Sequence, residues 1–164
     1  MKLQLFSKIS LLLAFVAILS GARAQTKPAP FIPEFTFQRL DNRDFSKKDL
    51  VKNRKVVFIL FDVTCNHCQH EIEGIGKKYE EFKHVAIYLV SMDTKPAIMK
   101  FMSTYGKNLY GKPNVTVLHD YRPEFVQKFY PDKFPAMFIY SDKGALSKYM
   151  SGQKDIKEVI KAVK

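Results

Sequence analysis

Short apolar runs and stretches with helical spacing alternate along this chain. Residues 56–62 are apolar at nearly every position and mostly β-branched or aromatic, which is typical of a strand buried on both faces of a sheet. In residues 66–82, apolar side chains recur every three or four positions, as in an amphipathic helix. The alternation continues with strands predicted at 85–90 and 115–119 and helices predicted at 96–105 and 123–130. This pattern indicates an α/β fold with helices on both faces of the sheet.

Antiparallel hairpins are predicted on both sides of this alternating region, which makes the central sheet mixed. One hairpin turns at Asp41 and Asn42, and the other turns at residues 142–144. A one-sided apolar stripe predicts a last helix over residues 155–163. The hairpin strands are expected at residues 35–40, around Phe45, at 134–140 and at 146–150.

The short helix predicted at residues 123–130 contains the apolar residues Phe125, Val126 and Phe129. All three are expected to face the core.

Residues 1–24 have the pattern of an export signal, with a basic start, an apolar centre and a small-x-small site that ends at Ala24. We expect cleavage after Ala24; the alternative is an uncleaved anchor. The apolar centre is shorter than the ~20 residues that span a bilayer, so we expect no stable membrane insertion. Residues 25–33 contain three prolines and predict an extended leader, and residues 34–164 predict one domain.

The chain has a formal net charge of +11. A basic protein can bind nucleic acid, an anionic membrane surface or acidic proteins. The lysines are scattered, without an arginine cluster or a regular series of aromatic residues, and the predicted export argues against nucleic acid. We interpret the charge as a solvated surface of a monomer, with weak attraction to acidic partners as the alternative.

Cys65 and Cys68 form a Cys-x-x-Cys motif and are the only cysteines of the chain. Both thiols lie at a predicted strand-to-helix junction. A structural staple is the alternative, but a bridge that closes so short a loop constrains the unfolded chain little. The spacing favours a reversible dithiol-disulfide couple, which suits an oxidising compartment and needs no further cofactor.

Five residues are candidates for the chemistry of this site. Cys65 is the expected nucleophile, because backbone N–H groups and the helix dipole favour a thiolate at a helix start. Cys68, one turn later, is expected to be more buried and to resolve the mixed disulfide. His67 either supports the Cys65 thiolate or only faces solvent, and Glu71 is either a proton carrier for Cys68 or a surface residue. Pro135 is expected beside the cysteines if its peptide bond is cis.

These residues also carry a family resemblance. The cysteine motif after a buried strand, Glu71 three residues later and Phe134-Pro135-Ala136 at a late strand resemble the TlpA/ResA branch of exported thioredoxin-like proteins, within the redoxin and AhpC/TSA-like superfamily. The resemblance covers residues 34–164. It implies a thioredoxin-like fold with an N-terminal hairpin and an inserted strand-helix unit.

For activity, the resemblance implies a nucleophilic Cys65, a resolving Cys68, an acid/base role for Glu71 and a cis bond at Pro135. Members of this branch usually reduce disulfides outside the cytoplasm, including steps of cytochrome c maturation. The implied partners are exported proteins that contain cysteine and a thiol-disulfide electron donor or acceptor.

Two positions depart from that branch. Thr64 and His67 stand where its members commonly have tryptophan and proline, and the chain has no tryptophan. A Cys-x-His-Cys motif instead resembles oxidising relatives such as the DsbA and disulfide-isomerase groups. Three alternatives to a reductase therefore stay open: an oxidase or isomerase, an exported copper-binding module that uses both thiols and His67 or His70, and a domain used only for binding.

Overall fold

A computed structural model describes residues 27–164, so the predicted export signal and its cleavage site lie outside the described residues. The strands are β1 (Thr36–Arg39), β2 (Asp44–Ser46), β3 (Val56–Leu60), β4 (Ala86–Ser91), β5 (Val115–His119), β6 (Ala136–Tyr140) and β7 (Leu146–Ser151). The α-helices are α1 (Asn66–Lys77), α2 (Lys95–Thr104), α3 (Glu124–Phe129) and α4 (Ile156–Val163). Within residues 27–164, no helix has the length and apolar character needed to cross a bilayer.

All seven strands join one mixed sheet in the order β2-β1-β5-β4-β3-β6-β7. Strands β3, β4 and β5 are parallel, whereas β6 pairs antiparallel with β3 and β7, and β1 pairs antiparallel with β2 and β5. The structure therefore confirms the predicted α/β fold with a mixed sheet and a hairpin at each end. At one end of β3, Leu60 lies opposite both Val90 and Ala136.

Strand β3 is buried on both faces, because two hydrophobic layers cover the sheet. Val57 and Ile59 pack against the layer that contains α1 and α4. Phe58 and its neighbours on the other face pack into an aromatic layer, where the Phe58 ring lies 5.2 Å from the ring of Phe129. All five residues of β3 are buried, as their continuous apolar run predicts.

Helix α1 ends earlier than its sequence pattern predicts. It stops at Lys77, and residues Tyr79–Phe82 form a 3₁₀ turn instead of a fourth helical turn. The tighter turn keeps Tyr79 and Phe82 in the core, where the Tyr79 hydroxyl donates to Oδ1 of Asn114 at 2.7 Å. A tertiary contact therefore decides the end of the helix, since apolar spacing alone continues to Phe82.

The prediction that Val126 faces the core is wrong. Phe125 and Phe129 are fully buried and their rings stack at 4.1 Å, whereas 41% of Val126 is exposed. Because α3 has only six residues, it packs through a single narrow face defined by the two phenylalanines. Val126 follows Phe125 by about 100° around the helix axis and points away from that face.

The described part of the predicted leader is docked on the domain. Ala29 and Ile32 are buried, the Ala29 amide donates to the carbonyl of Phe129, and the Ile32 amide donates to the carbonyl of Gly144, each at 3.1 Å. Backbone hydrogen bonds therefore hold this segment against the domain. The division into signal, leader and domain stays a prediction.

The burial difference within α3 gives a stability prediction. Phe125→Leu is expected to lower the free energy of unfolding by about 1–3 kcal/mol, because it removes a ring that stacks in a closed aromatic layer. Val126→Ala on the same helix is the matched control and is expected to change it by less than about 0.5 kcal/mol. Urea unfolding followed by circular dichroism measures both. Equal effects would contradict the observed orientation of α3.

Candidate active site

The two cysteines lie where the sheet passes into α1. Cys65 is the residue that caps the N-terminus of this helix, and its Sγ accepts a hydrogen bond from the Cys68 amide at 3.3 Å. Cys65 is partly exposed, Cys68 is fully buried, and both are free thiols. The exposed sulfur at the helix start is therefore the one that another molecule can reach.

Burial changes the acidity of the inner cysteine. It raises the pKa of the Cys68 thiol well above the ordinary value, and the hydrogen bond with the Cys65 sulfur raises it further. The negative charge of Asp62 acts in the same direction, while a hydrogen bond with the Asp62 backbone opposes the shift. Cys68 therefore stays protonated in the dithiol form.

Asp62 shapes the turn that carries Cys65. Its Oδ1 accepts hydrogen bonds from the Thr64 amide at 2.7 Å and from the Thr64 hydroxyl at 2.6 Å. Its carbonyl accepts the Cys65 amide at 3.2 Å. The Asp62 carboxylate thus closes an Asx turn before Cys65, and the hydroxyl at position 64, where the resembling family has tryptophan, adds a second hydrogen bond to it.

Asp93 holds the same turn from the neighbouring strand. Its Oδ2 accepts the Val63 amide at 3.0 Å and the Ser91 hydroxyl at 2.8 Å. Asp93 follows β4, which runs parallel to β3, so the two strand ends meet at one edge of the sheet. Sequence reasoning missed this residue, although a carboxylate directly after a buried parallel strand was the available signal.

Glu71 is buried in α1, with 5% of its surface exposed. Its Oε2 accepts a hydrogen bond from the backbone amide of Lys154 at 2.9 Å, in the loop between β7 and α4. Burial raises the pKa of this carboxyl, while the Lys154 amide opposes the shift. Glu71 is therefore no ordinary surface residue, and its acid/base role toward Cys68 stays a prediction.

His67 is exposed and faces the same β7–α4 loop. Its Nδ1 lies 2.8 Å from Oε1 of Gln153, so the two side chains share a hydrogen bond. The histidine between the cysteines is thus fixed by a residue far along the chain. Gln153 is a second residue that sequence reasoning missed, because nothing in the local pattern marks it.

The Phe134–Pro135 peptide bond is cis, as the family resemblance implies. Pro135 directly precedes β6, whose first residue Ala136 lies opposite Leu60 at the end of β3. The Pro135 carbonyl accepts the Gly152 amide at 2.8 Å. The proline loop, the β7–α4 loop and the start of α1 therefore meet at one end of the sheet.

A depression of about 600 Å³ opens where these three elements meet. We call it the loop depression. The loop depression is lined by His67, Lys133, Phe134 and residues 151–155.

Within residues 27–164, no group of three or more histidine, cysteine, aspartate or glutamate side chains converges as a metal site would require.

Comparison with known proteins supports the same fold. The model of a family described as the AhpC/TSA family matches residues 29–148. No curated protein sequence matches the chain significantly.

Solved structures that share the thioredoxin-like fold with this chain include the three that follow. MTB dsbF has a TM-score of 0.67 at 22% identity, covering 79% of this chain and 92% of its own. A secreted Mycobacterium tuberculosis disulfide oxidoreductase is described as homologous to E. coli DsbE. It has a TM-score of 0.66 at 19% identity, and the match covers 79% of this chain and 93% of that protein. StoA from Bacillus subtilis has a TM-score of 0.63 at 15% identity, and the match covers 84% of this chain and 100% of StoA.

The buried carboxyl of Glu71 gives a pH prediction. Because its pKa is raised in the folded protein, the folded state keeps this proton to higher pH than the unfolded chain, and stability falls as the pH rises through that interval. Glu71→Gln removes the titration but keeps an oxygen that can accept the Lys154 amide. The free energy of unfolding of E71Q minus that of the wild type is therefore expected to rise as the pH increases above the ordinary pKa of a glutamate, by about 1.4 kcal/mol per unit of pKa elevation.

Urea unfolding at a series of pH values measures this difference. Glu73→Gln on the same helix is the control, because Glu73 is partly exposed and pairs with Lys77 at 3.2 Å on the surface. If the free energies of unfolding of E71Q and the wild type change equally with pH, the Glu71 carboxyl does not have the raised pKa that its burial indicates.

Proposed function

The chain belongs to the AhpC/TSA family and has a thioredoxin-like fold, and on that premise we propose that it is an extracytoplasmic thiol-disulfide oxidoreductase. The observation that carries the proposal is the unequal cysteine pair at the start of α1. Cys65 is accessible and its sulfur accepts an amide hydrogen bond, while Cys68 is buried with a raised pKa. One thiol suits attack on a partner and the other suits the second, intramolecular step.

In the reducing direction, the Cys65 thiolate attacks one sulfur of a client disulfide. A bond forms between Cys65 Sγ and that sulfur, the client S–S bond breaks, and the other client sulfur leaves as a thiolate that takes a proton. Cys68 then loses its proton and attacks Cys65 Sγ, which releases the client's second thiol and leaves a Cys65–Cys68 disulfide. Two electrons pass from the enzyme to the client, and a donor dithiol restores the reduced pair.

Glu71 is the proposed proton acceptor for Cys68 in the second step. Its position three residues beyond Cys68 places it on the same side of α1, and its buried carboxyl has a raised pKa. Such a group exchanges a proton nearer neutral pH than an exposed glutamate does. His67 is proposed to support the Cys65 thiolate, and Pro135 to present backbone to the client.

The family resemblance and the predicted export signal support reduction outside the cytoplasm. We place the chain in the TlpA/ResA-like group, acting as a monomer on exported proteins that contain cysteine, with cytochrome c maturation as a candidate pathway. The signal is proposed to be cleaved after Ala24, which leaves a periplasmic or otherwise extracytoplasmic protein. The similarity to a secreted disulfide oxidoreductase supports this location.

An oxidase or isomerase is the second candidate, and His67 is the observation that favours it. A histidine at this position that supports the Cys65 thiolate stabilises the reduced pair and so makes the couple more oxidising. Equilibration of the pair with glutathione separates the two directions. A potential near ~−270 mV, as in thioredoxin, supports the reductase, and one near ~−120 mV, as in DsbA, supports the oxidase.

The cysteine roles give a direct prediction. Cys65→Ala is expected to abolish reduction of a disulfide substrate, because the accessible nucleophile is lost. Cys68→Ala is expected to accumulate a mixed disulfide between Cys65 and the client, because the resolving thiol is lost. Non-reducing electrophoresis and mass spectrometry of the adduct measure both outcomes.

Two results would contradict the proposal. Undiminished turnover by the Cys65→Ala variant would indicate that the cysteine pair is not the reactive site. Stoichiometric copper retained after dialysis, without turnover of any disulfide substrate, would favour the copper-binding alternative.

A further inference from the structure

Hydrogen bonds connect the three elements that surround the loop depression. The Gly152 amide donates to the Pro135 carbonyl at 2.8 Å, and the Lys154 amide donates to Glu71 at 2.9 Å. His67 and Gln153 share a hydrogen bond across it. His67 lies on the first turn of α1, two residues after Cys65, and lines the loop depression. A chain segment that brings its cysteine to Cys65 therefore has this surface within its reach.

Gly152 leaves room for a lysine at this surface. A Cβ atom built on Gly152 would lie 2.8 Å from Cε and 3.5 Å from Nζ of Lys133. The residue also has a φ of +71°, which favours glycine. The end of Lys133 therefore occupies the space that a side chain at position 152 would need. The Lys133 ammonium group lies over the β7–α4 loop.

The charge of the loop depression is positive. Lys133 and Lys154 both line it, and neither belongs to any of the ion pairs formed within residues 27–164. Asp155 is the acidic residue of the lining, and its Oδ1 accepts the Lys157 amide at the start of α4. Glu71 lies beneath the surface and is buried. Lys133 is exposed, whereas Lys154 is half-buried and its charge opposes the rise in the pKa of the Glu71 carboxyl that burial causes. The lining therefore carries two ammonium groups and one carboxylate that already caps a helix.

We propose that Lys133 and Lys154 make the enzyme select client segments that carry an aspartate or glutamate close to the reactive cysteine. This inference rests on the proposed function and names the substrate class of the same site. The carboxylate of the client pairs with the two ammonium groups in the loop depression while the client's sulfur approaches Cys65. Recognition by charge at a partly exposed site chiefly changes the rate of productive encounter.

The test uses three peptides that each contain one disulfide and differ only in the residues beside it, which are glutamate, glutamine or lysine. The reduced wild-type protein is expected to reduce the glutamate peptide about three to ten times faster than the lysine peptide at low salt. This ratio is expected to shrink as the salt concentration rises, because exposed charges are screened.

The variant Lys133→Gln Lys154→Gln is expected to bring the three rates within about twofold of one another. The matched control is Lys107→Gln Lys143→Gln, which removes the same charge from two exposed lysines that do not line the loop depression. The control is expected to keep the wild-type ratio. Equal rates in the wild type, or an equal loss of preference in both double variants, would overturn the inference.

A binding measurement separates this inference from the proposed function. Cys65→Ala Cys68→Ala protein is titrated with fluorescent forms of the same peptides whose cysteines are alkylated. Tighter binding of the glutamate peptide that is lost with Lys133→Gln Lys154→Gln supports the inference even if the wild type reduces no disulfide. Reduction of all three peptides at one rate, with no difference in binding, leaves the proposed function standing and rejects the charge selection.

Discussion

The burial of β3 between two hydrophobic layers is the constraint on which the site depends. The strand pairs with β4 on one side and β6 on the other, and both of its faces are covered. The chain that leaves it at Leu60 must emerge at an edge where Pro135 and the end of β4 also lie. Strand pairing therefore places Cys65 at this edge, independently of the contacts of its own side chain.

The turn that carries Cys65 is then fixed from several directions. Asp62 closes it from within, and Asp93 holds the Val63 amide from the neighbouring strand. On α1, the Glu71 carboxyl accepts a hydrogen bond from the Lys154 amide of the β7–α4 loop. The His67 side chain shares a hydrogen bond with Gln153 of the same loop. These contacts connect the helix that begins after Cys65 to the loop that lines the depression.

The sequence by itself determined the order of strands and helices and the position of the cysteine pair. Periodicity is a local property, and the continuous apolar run of β3 and the helical spacing after Cys68 are visible without any tertiary contact. The cysteine spacing also predicted one accessible and one buried thiol. The sequence left Glu71 as either a proton carrier or a surface residue. Only the packing of α1 shows that its side chain is buried.

Only the tertiary structure decided which distant residues meet. Gln153 reaches His67, and Asp93 reaches the turn before Cys65, because strands far apart in sequence share one edge of the sheet. The outward Val126 has a different cause, because the six-residue helix α3 packs against the core through one narrow face. Hydrophobic pattern records what each segment buries, whereas sheet order and packing determine which segments lie beside one another.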